Sequence, residues 1–361
     1  MDYESIIKEQ FNNVITQEEI DKIMKSSNSL TEGLTSSFTP DNMLDAMIQG
    51  QSIFNTENLI SNMSDLFLLE IRSALLLCVE IISICIVIGI LNGLSSSFNS
   101  KSVSQISLLI CSMIVIGIAI DSLKDTYNLS LDVVSTMSST MTIIMPILIG
   151  ILISTGSVTS GTILSPLIVG AITTVSFLIK TFILPALFVS TILSLINCLT
   201  EKDYVNKLAK LIRNLAVGLT GLLLVLLTGI ITIQGLLTQT SDGLLINTAK
   251  FSLSNFIPII GNFTSDTVEL FLRCMSSIKN VVGIFGIIIL LLLLIVPLIK
   301  ILSIAIIYKF TAAIAEPVTS SKIADGLNDM GSCIISIASI ILFNSILFIM
   351  FITIIINIGG S

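Results

Sequence analysis

The sequence predicts an all-α fold: a polytopic helical integral membrane protein. Three observations predict it. From Ala74 to Ile358 the chain is mostly uncharged apolar runs of about membrane-crossing length, broken by short polar gaps. The purest run, Val281–Ile299, has nineteen residues and neither a charge nor a polar side chain, which suits a hydrocarbon layer about 30 Å thick. Of the 361 residues, 53% are hydrophobic and 11% charged, against about 25% charged in a soluble domain; mean hydropathy is +1.01. Backbone N–H and C=O groups find no water in hydrocarbon, so such runs close their hydrogen bonds internally as helices or in closed barrels. A barrel strand alternates apolar and polar residues, and runs such as Ile287–Val296 do not.

Residues 1–72 form a separate zone, with 12 acidic and 4 basic side chains. Ile6, Ile7, Phe11, Val14 and Ile15 recur at helical spacing, and Gln17–Lys25 continues the pattern. Asn28–Pro40 is rich in Ser, Thr and Gly and reads as a loop. Pro40-Asp41 starts a helix with Met43, Leu44, Met47 and Ile48 on one face. A second amphipathic stretch, Leu59–Leu69, runs into the first span. This zone reads as an acidic, amphipathic helical layer beside the membrane or against a partner, or as a short helical domain with no specific partner.

The membrane domain covers 73–358. About eight spans are predicted: 73–93, 103–120, 137–155, 162–179, 181–199, 214–236, 281–308 and 332–357. Spans four and five are separated only by Lys180, so one broken element is the alternative. Span seven contains Pro297 and Lys300, which predicts a kink and snorkelling lysine stems. Thr248–Asn262 is too short and too polar to cross. Asn255, Pro258 and Gly261 fall there at steps of three, the pattern of a broken interfacial or re-entrant segment. The polar helix Ser265–Asn280 follows it.

Orientation follows the positive-inside rule. The densest basic cluster, Lys202, Lys207, Lys210 and Arg213, belongs in the cytoplasm. Eight crossings then place Lys101, Lys300, Lys309 and Lys322 inside, and the acidic N-terminal zone, the loop Asp121–Asp132 and both termini outside. An outside N-terminal tail calls for a signal peptide, and Met1-Asp2-Tyr3 begins no apolar segment. The two readings are a signal removed ahead of Met1 and an inverted orientation; the first is adopted.

Composition also bounds function. No basic patch supports nucleic-acid binding, so no nucleic-acid partner is expected. The chain has no His, the commonest proton shuttle and metal ligand. The six cysteines, Cys78, Cys85, Cys111, Cys198, Cys274 and Cys333, show no CxxC pairing; Cys78 and Cys85 share a helix face as small apolar residues. Nucleophile-elbow, HExxH, P-loop and GxGD signatures are absent. No enzyme, catalytic residue, metal or cofactor is expected.

The remaining candidates concern transport or assembly. Glu80 lies inside the first span, where a lone carboxylate is costly; it marks a pore-facing or proton-relay group, a protonated or paired one near the bundle interior, or a helix start shifted to put it at the interface. Ser154–Gly161 is a small-residue joint between spans, read as a tight turn or a cavity lining. Gly218-x-x-Gly221 and Gly283-x-x-Gly286 are packing notches. Glu80, Lys180, Asn255, Pro258 and Gly261 are the candidates for lining a conduit or coupling its parts.

These segments resemble the stage III sporulation protein AE family of endospore-forming bacteria. The resemblance is carried by Leu94-Ser95-Ser96-Ser97-Phe98, by Pro146–Ser160, and most specifically by Asn247–Gly261 followed by Asp266 and Lys279-Asn280-Val281-Val282-Gly283. Leu298–Leu302 and Tyr308-Lys309 also fit. It implies a non-enzymatic, multi-pass component of a channel or secretion-like complex joining mother cell and forespore, required for forespore development. It also implies other membrane and ring-forming proteins of that complex as partners, in the mother-cell membrane around the forespore. A homo-oligomer is a further expectation. The alternative reading is a secondary transporter for a small solute.

Overall fold

The computed structural model describes residues 16–28, 30–31, 56–98, 101–199, 205–256, 261–319 and 321–358. Among these there is no strand. The elements are α1 (Gln17–Asn28), α2 (Thr56–Phe98), α3 (Lys101–Ser154), α4 (Val158–Leu178), a π turn (Ile179–Ile183), α5 (Leu184–Asn197), α6 (Asn206–Phe256), α7 (Gly261–Ala315) and α8 (Ser321–Asn357). Six helices are long and apolar enough to cross a membrane, α4 and α5 counting as one through the π turn. The protein is an all-α, polytopic membrane protein with six such helices among the described residues, where the sequence suggested eight spans.

The difference lies in two fusions. The predicted spans 103–120 and 137–155 and the loop Asp121–Asp132 are one helix, α3, of 54 residues. Its polar residues do not interrupt it because they share a face. Leu123, Val133, Val134, Met137 and Met141 on the opposite face are buried. Thr126 and Ser130, also buried, donate to the carbonyls of Ser122 and Thr126 at 2.9 and 2.6 Å, so their hydroxyls stay with the helix. Predicted spans 162–179 and 181–199 are likewise a single rod, the alternative noted above. The π turn is placed where Pro185 requires it. A proline lacks its N–H and crowds the carbonyl four residues back, here that of Thr181. Slipping to a longer register, in which the Leu184 N–H reaches the Ile179 carbonyl, opens the turn at that point.

A true turn separates α3 from α4. The Gly156 N–H donates to the Ile153 carbonyl at 3.0 Å and the Ser157 N–H to that of Leu152 at 3.3 Å, the paired bonds of a Schellman end. Gly156 has φ of 90°, open to glycine at no steric cost. The joint Ser154–Gly161 is thus a tight turn.

The antiparallel pair α7 and α8 is the centre, and α2, α3, α5 and α6 pack around it. Gly283 and Gly286 are notches for Ile352 and Ile356 of α8, as expected. Gly218 and Gly221 are not: a Cβ on either meets nothing within 4 Å. Gly331 of α8 meets backbone rather than a side-chain tip. A Cβ there would stand 3.0 Å from the Ala305 carbonyl oxygen, which is backbone and cannot swing away. Gly331→Ala is therefore expected to destabilise the bundle by about 1–3 kcal/mol. Gly229→Ala, with open space around it, should gain a few tenths from helix propensity. Opposite shifts in the heat-resistant fraction in detergent check this.

Near the N-terminus, α1 packs on α3 through Ile20 and Ile23. Glu19 accepts from both the backbone N–H (3.1 Å) and the hydroxyl (2.7 Å) of Thr16, half of a capping box that starts the helix at Gln17. Lys22 bonds Glu18 at 2.8 Å and holds that carboxyl below the usual range. The helical spacing read at Ile6–Ile15, the helix start at Pro40 and most of the Asn28–Pro40 loop lie outside the described residues.

Candidate functional site

The sequence nominated five positions, and the structure does not gather them. Glu80 is on the outward surface of α2, exposed among Leu76, Val79 and Val87, so the bundle-interior reading is corrected. Burial on α2 follows Ala74, Cys78, Ile81, Cys85 and Ile88, a helical stripe that leaves position 80 on the far side. Lys180 sits in the π turn, half-buried, near the middle of the 40-residue apolar rod Val158–Asn197. Asn255 is in the last turn of α6 and Gly261 opens α7. Their side-chain surroundings, and Pro258 itself, lie outside the described residues. Helix α6 is continuous to Phe256, so Thr248–Phe256 is the end of a long helix and not a separate re-entrant piece. Ser265–Asn280 is the first part of α7.

What the fold does gather is a polar mouth at the end where α5 meets α6 and α7 meets α8. Asp329 of α8 is its hub. Its carboxylate accepts from Ser194 of α5 at 3.1 Å and lies 4.0 Å from the Arg213 guanidinium of α6. Arg213 also donates to the Asp329 backbone carbonyl at 3.3 Å. One helix turn away, Lys309 of α7 donates to Asn328 at 3.2 Å and Ser332 at 3.0 Å. Two recesses flank this network. One of about 50 Å³ is lined by Ser194, Asn197, Asn206, Lys322, Asp325 and Asp329. The other, about 200 Å³, is lined by Lys309, Glu316, Ser321, Asp325 and Asn328. Asp325 faces both. At roughly 30 Å³ per water, the larger holds a few waters or a hydrated ion. Arg213 and Lys322 had entered the sequence reading only as orientation markers, and Lys309 as one of these and as part of the Tyr308-Lys309 pair. Asp325, Asp329 and Ser194 were missed, although the run Lys309–Asp329 gathers five of the chain's charges between two apolar helices.

The opposite end is closed by a different device. Lys279 of α7 is fully buried and its Nζ donates to the Ile358 carbonyl at the C-terminal end of α8. A cation there complements the helix dipole and occupies one of the carbonyls that the helix leaves open. Lys300, farther along α7, pairs with Glu70 of α2 at 3.4 Å. Among the described residues no group of His, Cys, Asp and Glu is arranged to hold a metal ion, and all six cysteines are free.

Residues 38–359 match the family model for stage III sporulation protein AE. The match takes in α2 to α8 entire. The chain belongs to the stage III sporulation protein AE family. A curated member, stage III sporulation protein AE of Bacillus subtilis (strain 168), is 30% identical over 271 residues, covering 75% of this chain and 68% of the relative. No solved structure matches. Membership of the sporulation protein AE family makes this a membrane protein of sporulation. The polar mouth and the Lys279 closure both fall within the matched residues.

Proposed function

We propose that this protein is the multi-pass, non-enzymatic membrane component of a channel or secretion-like complex that joins mother cell and forespore during endospore formation. The observation that carries the reading is the family match across the whole bundle. The two-ended architecture supports it: a polar mouth at one end, a lysine-closed end at the other, and long helices that project beyond the bilayer. A 55-residue helix such as α7 is roughly 80 Å long at 1.5 Å per residue, about twice a bilayer with its headgroups. Six crossings keep the parity of eight, so the ends of the bundle share one side. Lys207, Lys210, Arg213, Lys309 and Lys322 cluster at the mouth and favour the cytoplasm for it. The partners are then the other membrane and ring-forming proteins of the complex, meeting the acidic N-terminal zone outside, in the mother-cell membrane around the forespore.

Deleting the gene in its host should leave vegetative growth unchanged and stop spore development after the forespore is engulfed. A normal yield of heat-resistant spores would overturn the reading. One observation favours a second reading, a solute transporter: the half-buried Lys180 in a π turn midway along a crossing helix, since such turns and such charges recur at functional sites. Solute uptake into vesicles containing the purified protein, lost in Lys180→Met, would select it.

A further inference from the structure

The face of α3 that the fold leaves uncovered is polar at a depth where a membrane surface is ordinarily apolar. Asp121, Lys124, Asp125, Asn128, Asp132, Ser139 and Thr142 are exposed on it. Three contacts fix its depth. The Tyr127 ring lies 5.1 Å from that of Phe188, centroid to centroid, tilted by 45°. Met137 Sδ lies 3.6 Å from the amide of Asn344, midway along α8. Ile144 borders Gly286 in the purest apolar run of α7. Alongside Asp132, Ser139 and Thr142, between the Arg213–Asp329 contact and the Gly235–Ile354 contact, the outer face of α6 is apolar, with Leu222, Val225, Leu226, Ile230 and Ile233 exposed. Within the chain, Lys124, Asp125, Asn128 and Asp132 make no hydrogen bond or ion pair to the described residues. Charged groups in contact with lipid are costly, and those found in membranes face a bundle interior or water.

We propose that this face of α3 packs against a second copy of the same chain, so that neighbouring copies enclose a water-filled path. The proposal deepens the reading above and rests on it only for the bilayer. Charge complementarity selects the occupant. At 3.6 residues per turn, Lys124 and Asp125 stand about 100° apart around the helix, with Asn128 between them and only ~1.5 Å of rise separating the two charges. Copies in one membrane share depth and direction. In a ring, the Lys124 edge of one copy therefore meets the Asp125 edge of the next, nearly level with it. Asp121, Asn128 and Asp132, between those edges, face the enclosed path, where water solvates them. Gly117 and Gly150 lie on the same face, and a Cβ on either meets nothing within 4 Å in the single chain. Small residues at such places let neighbouring helices approach. With Lys124 and Asp125 paired at the seams, Asp121 and Asp132 make the path favour cations.

Adjacent residues on a helix do not face each other, so a charge swap separates contacts between copies from contacts within one. In the purified full-length protein, Lys124→Glu and Asp125→Lys should each reduce the cross-linked oligomer at least about fivefold. The double variant should restore it to within about twofold. Singles without effect, or a double no better than the singles, would overturn the pairing. For the path, Asp132→Cys should react with a membrane-impermeant thiol reagent above the native background, and Val225→Cys, 70% exposed on α6, should not. Equal reactivity of the two would overturn the water-filled path. Loss of oligomer with spore yield intact would detach the inference from the sporulation role.

Discussion

Lys279→Glu is expected to prevent stable accumulation of the protein, and Lys279→Met to be tolerated with a modest loss. The side chain is fully buried, and its Nζ donates to the Ile358 carbonyl where α8 ends. Glutamate at this place sets an acceptor against an acceptor and a negative charge against the negative end of a helix dipole. Ionised, it is an uncompensated buried charge costing about 3–5 kcal/mol; protonated, it still pays to bind that proton at neutral pH. Methionine removes the cap and the burial cost of the ammonium together, so its net cost is about that of one hydrogen bond, ~1 kcal/mol. The chain has no Trp, so intrinsic tryptophan fluorescence offers no signal. The fraction surviving a heat step in detergent, read by size exclusion, gives the comparison. Equal survival of the two variants would mean that Lys279 does not close this end.

Much of the bundle was legible because the bilayer imposes one rule on every crossing segment: close the backbone hydrogen bonds inside the segment. That rule made the apolar runs helices, and the glycine spacing at 283 and 286 marked a notch that α8 fills. Continuity was harder to read. The polar stretch Asp121–Asp132 looks like a loop when charge alone is counted. It has no Gly or Pro from Ile118 to Met145, and its charges fall on one helix face while Ser122, Thr126 and Ser130 climb another at steps of four. A loop needs turn chemistry, and this stretch offers none. Lys180, a single residue, could not make a turn between two antiparallel spans either; the proline five residues on needed a π turn instead.

The site was less legible than the fold for a physical reason. A lone charge in an apolar run is visible in sequence, as Glu80 and Lys180 were, but its direction depends on which stripe of the helix the neighbours cover. The mouth is built around two connections far apart in sequence. Asp329 meets Ser194 and Arg213 across separations of 135 and 116 residues, and no local pattern announces such a meeting.

That meeting should behave as a unit. Arg213 and Asp329 side chains are 14% and 16% exposed, buried enough for a stranded charge to be costly. Arg213→Met leaves the carboxylate with Ser194 alone, and Asp329→Leu leaves the guanidinium with a single backbone carbonyl. Each is expected to cost about 3 kcal/mol, the low end for breaking a buried pair, because at 4.0 Å the charges are not in tight contact and the mouth admits water. The double variant exchanges an ion pair for an apolar one of similar volume, often close to neutral in stability. It should therefore be more stable than either single, which requires a coupling above ~3 kcal/mol in a double-mutant cycle. Heat survival in detergent measures stability, and spore yield measures function. If the mouth only holds the helices together, the double variant regains both. If its charges serve passage or docking, the double variant regains heat survival and spore yield stays low. Additive losses in the two singles and the double would show that the residues do not act on each other.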